Sequence, residues 1–112
     1  MIVVHCENKT SLDNIEEIAK IPEIDVVFLG PFDMSQSCGI PGQINHPLIE
    51  DACSRVLDAC KSAGKAAGIF VLDGQQAKMR AEQGFQYITI SLDVTIFAKA
   101  CRNEIKYVKN LK

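Results

Sequence analysis

Hydrophobic residues along this chain fall into two alternating patterns. Short continuous apolar runs, rich in β-branched residues, are typical of strands buried on both faces. The segments between them carry apolar residues every three or four positions, which predicts amphipathic helices. The predicted strands are residues 1–6, 25–30, 65–71 and 87–91. The chain is therefore expected to form four β-α units in series, whose right-handed crossovers pair successive strands in parallel.

Capping signals predict where the helices begin and end. Thr10, with an acidic residue three positions later, has the form of a capping box and predicts a short helix that ends before Pro22. Asn45 is expected to cap the longest helix, which carries Pro47 in its first turn and ends at Gly64.

Two further helices are predicted in the C-terminal half of the chain. The first spans residues 75–82 and is closed by Gly84. The second spans 94–108, and its apolar positions, among them Ile96 and Phe97, are expected to face a core while its basic residues face solvent.

Acidic residues follow the predicted strands. Glu7 comes after the first strand and Asp33 after the second, while Asp73 and Asp93 follow the third and fourth. Because adjacent parallel strands end at the same edge of a sheet, Glu7 and Asp33 are expected to lie together there, where such folds bind ligands. The aperiodic stretch 33–43 predicts a long loop over this edge. Asp73 and Asp93 fit turn or cap positions better than a site.

Composition and charge narrow the class of protein. The 112 residues suit one domain, 1–112, and the net charge of −2 with interspersed signs offers no basic face for nucleic acid or an anionic membrane. No apolar run approaches the roughly 20 residues of a membrane span, and the start of the chain lacks a signal-peptide pattern. The five cysteines form no C-x-x-C pair, which favours reduced thiols. A cytoplasmic protein is expected.

Serial β-α units fit either a doubly wound sheet or a (β/α)-barrel. The chain contains neither G-x-G-x-x-G nor G-x-x-x-x-G-K-[ST], so the phosphate-binding loops of nucleotide-binding sheets are absent. A complete eight-stranded barrel needs at least about 200 residues. The barrel interpretation therefore makes this chain about half of a (β/α)8 barrel.

A family resemblance extends over essentially the whole chain. The segment VVHCENKTSLDNIEEIAKIPEIDVVFLGPFDMSQSCGIPGQ, followed by HP, AGKAAGIF and GFQYITISLD, resembles the second half of the HpcH/HpaI aldolase and citrate lyase family. That family has a strand ending in glutamate, then D-x-x-F-x-G-P-x-D-[LM]-S, then a G-x-P-G-type loop. The resemblance implies a (β/α)8 barrel and a metal-dependent aldolase that cleaves 4-hydroxy-2-oxo acids to pyruvate and an aldehyde.

The resemblance also implies roles for individual residues. Glu7 and Asp33 match the two metal carboxylates, which would hold Mg²⁺ or Mn²⁺, with Co²⁺ possible. The metal would act as a Lewis acid on the 2-oxo group and stabilise the pyruvate enolate. The Gly30-Pro31-Phe32-Asp33 segment would receive the substrate carboxylate through the backbone N–H groups around Phe32 and Asp33.

Two departures from the family pattern bear on substrate preference. Phe32 stands where the family commonly has a small residue, and a phenylalanine there is expected to shrink the carboxylate pocket. His5 stands where glutamine is frequent; it shares a strand face with Glu7, so it lines the pocket or packs in the core.

The family's arginine and its histidine–aspartate pair lie in an N-terminal half to which nothing here corresponds, so no catalytic residue is assigned within this chain. Unpaired strand edges and an uncovered face predict a homo-oligomer, or a partner that supplies the N-terminal half. The alternative to an aldolase unit is a non-catalytic half-barrel that binds metal or an oxo acid and self-associates.

Overall fold

Four parallel strands form one sheet in the computed structural model, which describes residues 1–109. The strands are β1 (Val3–Cys6), β2 (Val26–Leu29), β3 (Ala66–Val71) and β4 (Tyr87–Ile90), and they lie side by side in the order of the chain. This confirms the four predicted strands and their parallel pairing. The sequential order has no reversal of the kind that defines a doubly wound sheet, as the barrel interpretation requires.

Six helices alternate with these strands in the described part of the chain. They are α1 (Lys9–Asp13), α2 (Ile15–Ala19), α3 (Pro31–Ser37), α4 (Pro47–Ala63), α5 (Gly74–Gln83) and α6 (Asp93–Lys109). None of the helices within residues 1–109 is both long and apolar enough to pass through a lipid bilayer.

Local hydrogen bonds shift two of the predicted helix starts. Asn8, and not Thr10, caps α1 by accepting from the Ser11 N–H at 2.8 Å in a reciprocal capping box. His46, and not Asn45, caps α4, because its Nδ1 accepts from the Leu48 N–H at 3.2 Å. The predicted end of α4 is confirmed: Gly64 adopts the left-handed conformation there, with φ of 67°.

The hydrophobic core lies between one face of the sheet and helices α2 and α4. Val27 and Leu29 of β2 and Ile69 of β3 are fully buried against Val56 of α4 and Ile15 of α2. Because side chains alternate across a strand, the neighbouring residues of the same strands point to the opposite face.

The chain after β2 is a helix where the sequence predicted a loop. α3 begins at Pro31, whose fixed φ and missing N–H suit the first helical position, and it buries Met34 and Ser35. With only seven residues the helix is too short for a visible apolar period, so the prediction of a long loop over 33–43 was wrong for residues 33–37.

The predicted core-facing side of the last helix is exposed. Ile96, Phe97 and Ile105 of α6 are 55%, 72% and 51% exposed, and no residue that the structure describes in this helix is buried. The amphipathic period identified the helix correctly, but a period specifies only which side is apolar and does not supply the surface that covers it.

Candidate functional site

Two carboxylates meet at the C-terminal edge of β1 and β2. Glu7 directly follows β1, and Asp33 lies in the first turn of α3, which directly follows β2 and Gly30. The parallel register, which sets Cys6 opposite Leu29, brings the two strand ends to the same level. The structure therefore brings Glu7 and Asp33 together as the sequence predicted.

Gly30 lies between these carboxylates. A Cβ added at Gly30 would be 3.2 Å from Glu7 Oε2 and 3.9 Å from Asp33 Oδ2, so one point in space is close to both acidic side chains. The backbone at Gly30 has φ of −99° and ψ of 92°, which most residues can adopt. Glycine is therefore favoured here by the tight space beside Glu7 and not by its backbone conformation.

His5 lies beside Glu7 on the same face of β1. Its Nδ1 is 3.4 Å from Glu7 Oε2, and both side chains are about half exposed, at 56% and 42%. The sequence left His5 between pocket lining and core packing, and the structure places it in the pocket.

The rings of His5, Phe28 and Tyr87 contact one another in sequence across the sheet. The His5 and Phe28 ring centroids are 5.0 Å apart, and Phe28 meets Tyr87 edge-on at 5.9 Å. The register places His5, Phe28, Gly68 and Tyr87 in one line across the sheet. A Cβ at Gly68 would be only 2.8 Å from Phe28 Cδ2, so Gly68 leaves the gap through which Phe28 and Tyr87 touch.

The carboxylates open into a cleft of about 620 Å³ whose walls are mainly apolar. Its charged or titratable lining groups among the described residues are His5, Glu7 and Asp33. The remaining lining residues are Phe28, Gly30, Pro31, Phe32, Gly42, Ile44, Phe70, Leu72, Ser91, Leu92 and Thr95. All five predicted substrate-contacting residues therefore lie in one cleft.

Phe32 stands at the mouth of this cleft, 53% exposed, with its ring 3.9 Å from the position of a Cβ on Gly42. The loop after α3 is fixed beside it by the fully buried Ser35. The Ser35 hydroxyl donates to the Phe32 carbonyl at 2.6 Å and accepts from the Gly42 N–H at 2.9 Å. Ser35 therefore connects the first turn of α3 to the loop that forms one wall of the cleft.

Sequence reasoning missed the part of the cleft that comes from β4 and α6. Ser91, Leu92 and Thr95 line the cleft directly after the last strand. Ser91 has φ of 59°, an uncommon conformation for a residue other than glycine, and its N–H donates to the Val71 carbonyl at 2.8 Å. The only available signal was position, since the same strand-end rule that selected Glu7 also applies to Ser91.

A larger groove of about 920 Å³ lies elsewhere, between α4 and α5 and the start of β3. Its lining residues Gly64, Lys65 and Ala66 lie where the chain leaves α4 and enters the amino-terminal end of β3, the end of a strand that in barrels serves stability and not chemistry. The smaller cleft is therefore the stronger candidate for the site.

Two groups with shifted pKa values lie in the core and where α4 meets α5. Arg80, which is buried, donates to both carboxylate oxygens of Glu50 at 2.6 and 2.7 Å and lowers the pKa of that carboxyl. Burial raises the pKa of the Cys53 thiol to about 11. These groups join α4 to α5 and fill the core, so they are structural.

Comparison with known proteins assigns this arrangement to a family. The sequence profile of the HpcH/HpaI aldolase/citrate lyase family matches residues 1–100. The chain belongs to this family. The resemblance found in the sequence is thereby confirmed.

Individual relatives agree with this assignment. A hydroxypyruvate/pyruvate aldolase from Chromohalobacter salexigens is 34% identical over 108 residues, which are 96% of this chain and 42% of that protein. A 2-keto-3-deoxy-L-rhamnonate aldolase from Escherichia coli K12 is 31% identical over 111 residues, again 42% of its length. An HpcH/HpaI aldolase/citrate lyase family protein from Burkholderia cenocepacia superposes with a TM-score of 0.93 at 40% identity.

The match to that crystal structure includes 96% of this chain and 42% of the crystallised chain. The α/β fold of this HpcH/HpaI family member is therefore the TIM-barrel type, as the sequence predicted. The chain spans less than half the length of the relatives it matches.

Proposed function

We propose that this chain provides the metal- and oxo-acid-binding edge of a class II aldolase, which cleaves 4-hydroxy-2-oxo acids to pyruvate and an aldehyde. The observation that carries the proposal is the placement of Glu7 and Asp33 on either side of Gly30 at the C-terminal edge of the sheet. The names of the relatives, a hydroxypyruvate/pyruvate aldolase and a 2-keto-3-deoxy-L-rhamnonate aldolase, support the same reaction class.

Glu7 and Asp33 would hold the divalent cation. The fit rests on Gly30, whose missing side chain leaves open the space that borders both carboxylates. Two carboxylates suit Mg²⁺ or Mn²⁺, and Co²⁺ is also compatible with this donor set. When bound, such a cation supplies Lewis-acid polarisation of a 2-oxo group.

The first turn of α3 would orient the oxo acid. Pro31 has no N–H, so the Phe32 and Asp33 amides are the first that this turn can offer to a substrate carboxylate. Gly30 allows the substrate to approach the backbone closely, and His5 borders the same space from β1. Phe32, which lines the same cleft, would narrow it and so favour a small group beyond the pyruvate unit.

Cleavage of 4-hydroxy-2-oxo acids by the purified chain with Mn²⁺ tests this proposal, with pyruvate release as the readout. We expect the activity to depend on the metal and to be lost in Glu7→Gln, which keeps the size of the side chain but removes its charge. Pyruvate release that is unchanged in Glu7→Gln would contradict the proposal.

A second candidate is a non-catalytic half-barrel that binds metal or an oxo acid and self-associates. The exposed apolar side of α6 and the two edge strands β1 and β4 favour it, because such surfaces tend to associate. Metal binding without turnover would support this candidate. Light scattering at micromolar concentration is then expected to show a homo-oligomer, and a purely monomeric species would contradict the self-association.

A further inference from the structure

We propose that Ser91 is a specificity-determining residue, whose hydroxyl selects substrates that carry a hydroxyl group at the end of the chain remote from the carboxylate. The inference deepens the proposed function and rests on it, since it needs an oxo acid held at Glu7 and Asp33. It narrows the substrate class to 4,5-dihydroxy-2-oxo acids. Cleavage between C3 and C4 of the five-carbon acid gives pyruvate and a two-carbon hydroxyaldehyde.

Ser91 is fixed at the same edge of the sheet as the two carboxylates. It directly follows β4, and its N–H donates to the Val71 carbonyl at 2.8 Å, which continues the pairing of β3 with β4 by one residue. Its φ of 59° then turns the chain toward α6. Ser91 lines the cleft that also contains Glu7 and Asp33, so one ligand can meet both ends of this edge.

The Ser91 hydroxyl is available to a ligand. The residue is only 9% exposed, so it is nine-tenths buried. Among residues 1–109, every side-chain oxygen or nitrogen that is sealed from solvent has a hydrogen-bond partner. The Ser91 hydroxyl makes no hydrogen bond in that part of the chain, so it must reach solvent, and the space that Ser91 lines is the cleft. A polar group in such a narrow opening is poorly hydrated and gains most from a ligand partner.

The other hydroxyl of the cleft is less suited to selection. Apart from His5, Glu7 and Asp33, the polar side chains that line the cleft are those of Ser91 and Thr95. Thr95 belongs to α6 and is exposed, so its hydroxyl can keep its water when a ligand binds. A bond from a ligand to Thr95 would therefore replace a bond to water with little net gain.

The distance across the cleft sets the length of the substrate. Strand β3 lies between β2 and β4, so two strand spacings of about 4.8 Å, or roughly 10 Å in all, separate the Asp33 end from the Ser91 end. A metal–oxygen distance of about 2.1 Å and a hydrogen bond of about 2.8 Å account for half of this span. The remaining length of roughly 5 Å corresponds to about five carbons at roughly 1.2 Å per bond.

The apolar walls of the cleft make this contact selective. Phe70, Leu72 and Leu92 line the cleft and offer no side-chain hydrogen bond to a substrate hydroxyl. A substrate with a methyl group in place of the terminal hydroxyl would shut water away from Ser91 without replacing it. A site that binds a substrate hydroxyl rejects the analogue lacking it for this reason.

Two matched ligands test the inference by calorimetric titration of the purified chain with Mn²⁺. They are 2,4,5-trihydroxypentanoate and 2,4-dihydroxyhexanoate, which differ only in a terminal hydroxyl or methyl group. Neither can be cleaved, because a hydroxyl replaces the 2-oxo group that activates the bond. We expect the wild type to bind the trihydroxy acid at least about fivefold more tightly.

Ser91→Gly should reduce this preference to less than about twofold and leave the affinity for 2,4-dihydroxyhexanoate unchanged. Glycine removes the hydroxyl and readily adopts the left-handed conformation of Ser91, so the variant should fold. Ser62→Ala is the matched control, because Ser62 lies on the exposed side of α4, and it should keep the wild-type preference.

The outcomes separate this inference from the proposed function. Equal affinity of the wild type for the two acids, or a preference that survives in Ser91→Gly, would overturn the role of Ser91 while leaving the carboxylate site intact. If neither acid binds to the wild type with Mn²⁺ present, the proposed function itself is contradicted, and the inference with it.

Discussion

The Gly30→Ala variant is expected to weaken metal binding while changing the stability of the fold only modestly. Alanine tolerates the backbone conformation of this residue, whose φ is −99° and ψ is 92°. Its methyl group, however, would lie 3.1 Å from Glu7 Cβ and 3.2 Å from Glu7 Oε2, which is tighter than ordinary van der Waals contact. The Glu7 side chain must therefore shift by a few tenths of an ångström, away from the space it shares with Asp33.

The expected magnitudes follow from these contacts. Restricting the unfolded chain stabilises an alanine variant by about 0.4–1 kcal/mol, and overpacking costs about 1–3 kcal/mol. The net loss of unfolding free energy should therefore stay below about 3 kcal/mol. Mn²⁺ affinity should fall by at least about tenfold, because the methyl group occupies the space bordered by both carboxylates.

Urea unfolding and calorimetric Mn²⁺ titration measure the two effects separately. Gly74→Ala is the matched control: no heavy atom lies within 4 Å of a Cβ added there, and the residue begins α5. It should leave Mn²⁺ binding unchanged. If Gly30→Ala binds Mn²⁺ as tightly as the wild type, the space beside Gly30 is not where the cation is held.

Three further predictions concern the rest of the fold. Glu50→Gln should cost about 1–3 kcal/mol of unfolding free energy, because Arg80 stays buried with a neutral partner. Since Arg80 lowers the pKa of Glu50, the pair stabilises the wild type above the ordinary glutamate pKa of about 4.3. The wild type loses this contribution as pH falls through the lowered pKa of Glu50. Urea unfolding of Glu50→Gln should show no corresponding decrease in stability over the same pH range. Ser35→Ala should cost about 1–3 kcal/mol by leaving two backbone groups without their partner, and unchanged urea unfolding would refute that account. Iodoacetamide at pH 8 should modify the exposed Cys101 and spare Cys53, whose pKa burial raises to about 11; peptide mass spectrometry showing equal labelling would contradict the packing of α4.

The strands were predictable because their signal is local. The apolar β-branched runs of β2 and β3 mark strands with a neighbour on each side, and glycine marks the end of α4. α3 was not predictable by the same means, because a helix of seven residues has too few turns to show an apolar period. Its Pro31 at the first helical position was the signal available.

The candidate site was predictable only in outline. Strand order and parallel pairing place Glu7 and Asp33 at one edge, and both properties could be inferred from the sequence. The row from His5 to Tyr87 could not, because it depends on the residue-by-residue register across the whole sheet. The exposure of α6 also could not be predicted from the sequence, because a helical period identifies the apolar side of a helix but not the surface that covers it.

The measurement that tests the central claim most directly is the linewidth of the pyruvate methyl resonance with Mn²⁺ and the chain present. The account predicts broadening by the wild-type chain beyond that caused by Mn²⁺ alone, because metal and oxo acid share one site. It also predicts that Glu7→Gln and Asp33→Asn each abolish the extra broadening. Broadening that is absent in the wild type, or that persists in both variants, would contradict the assignment of the site.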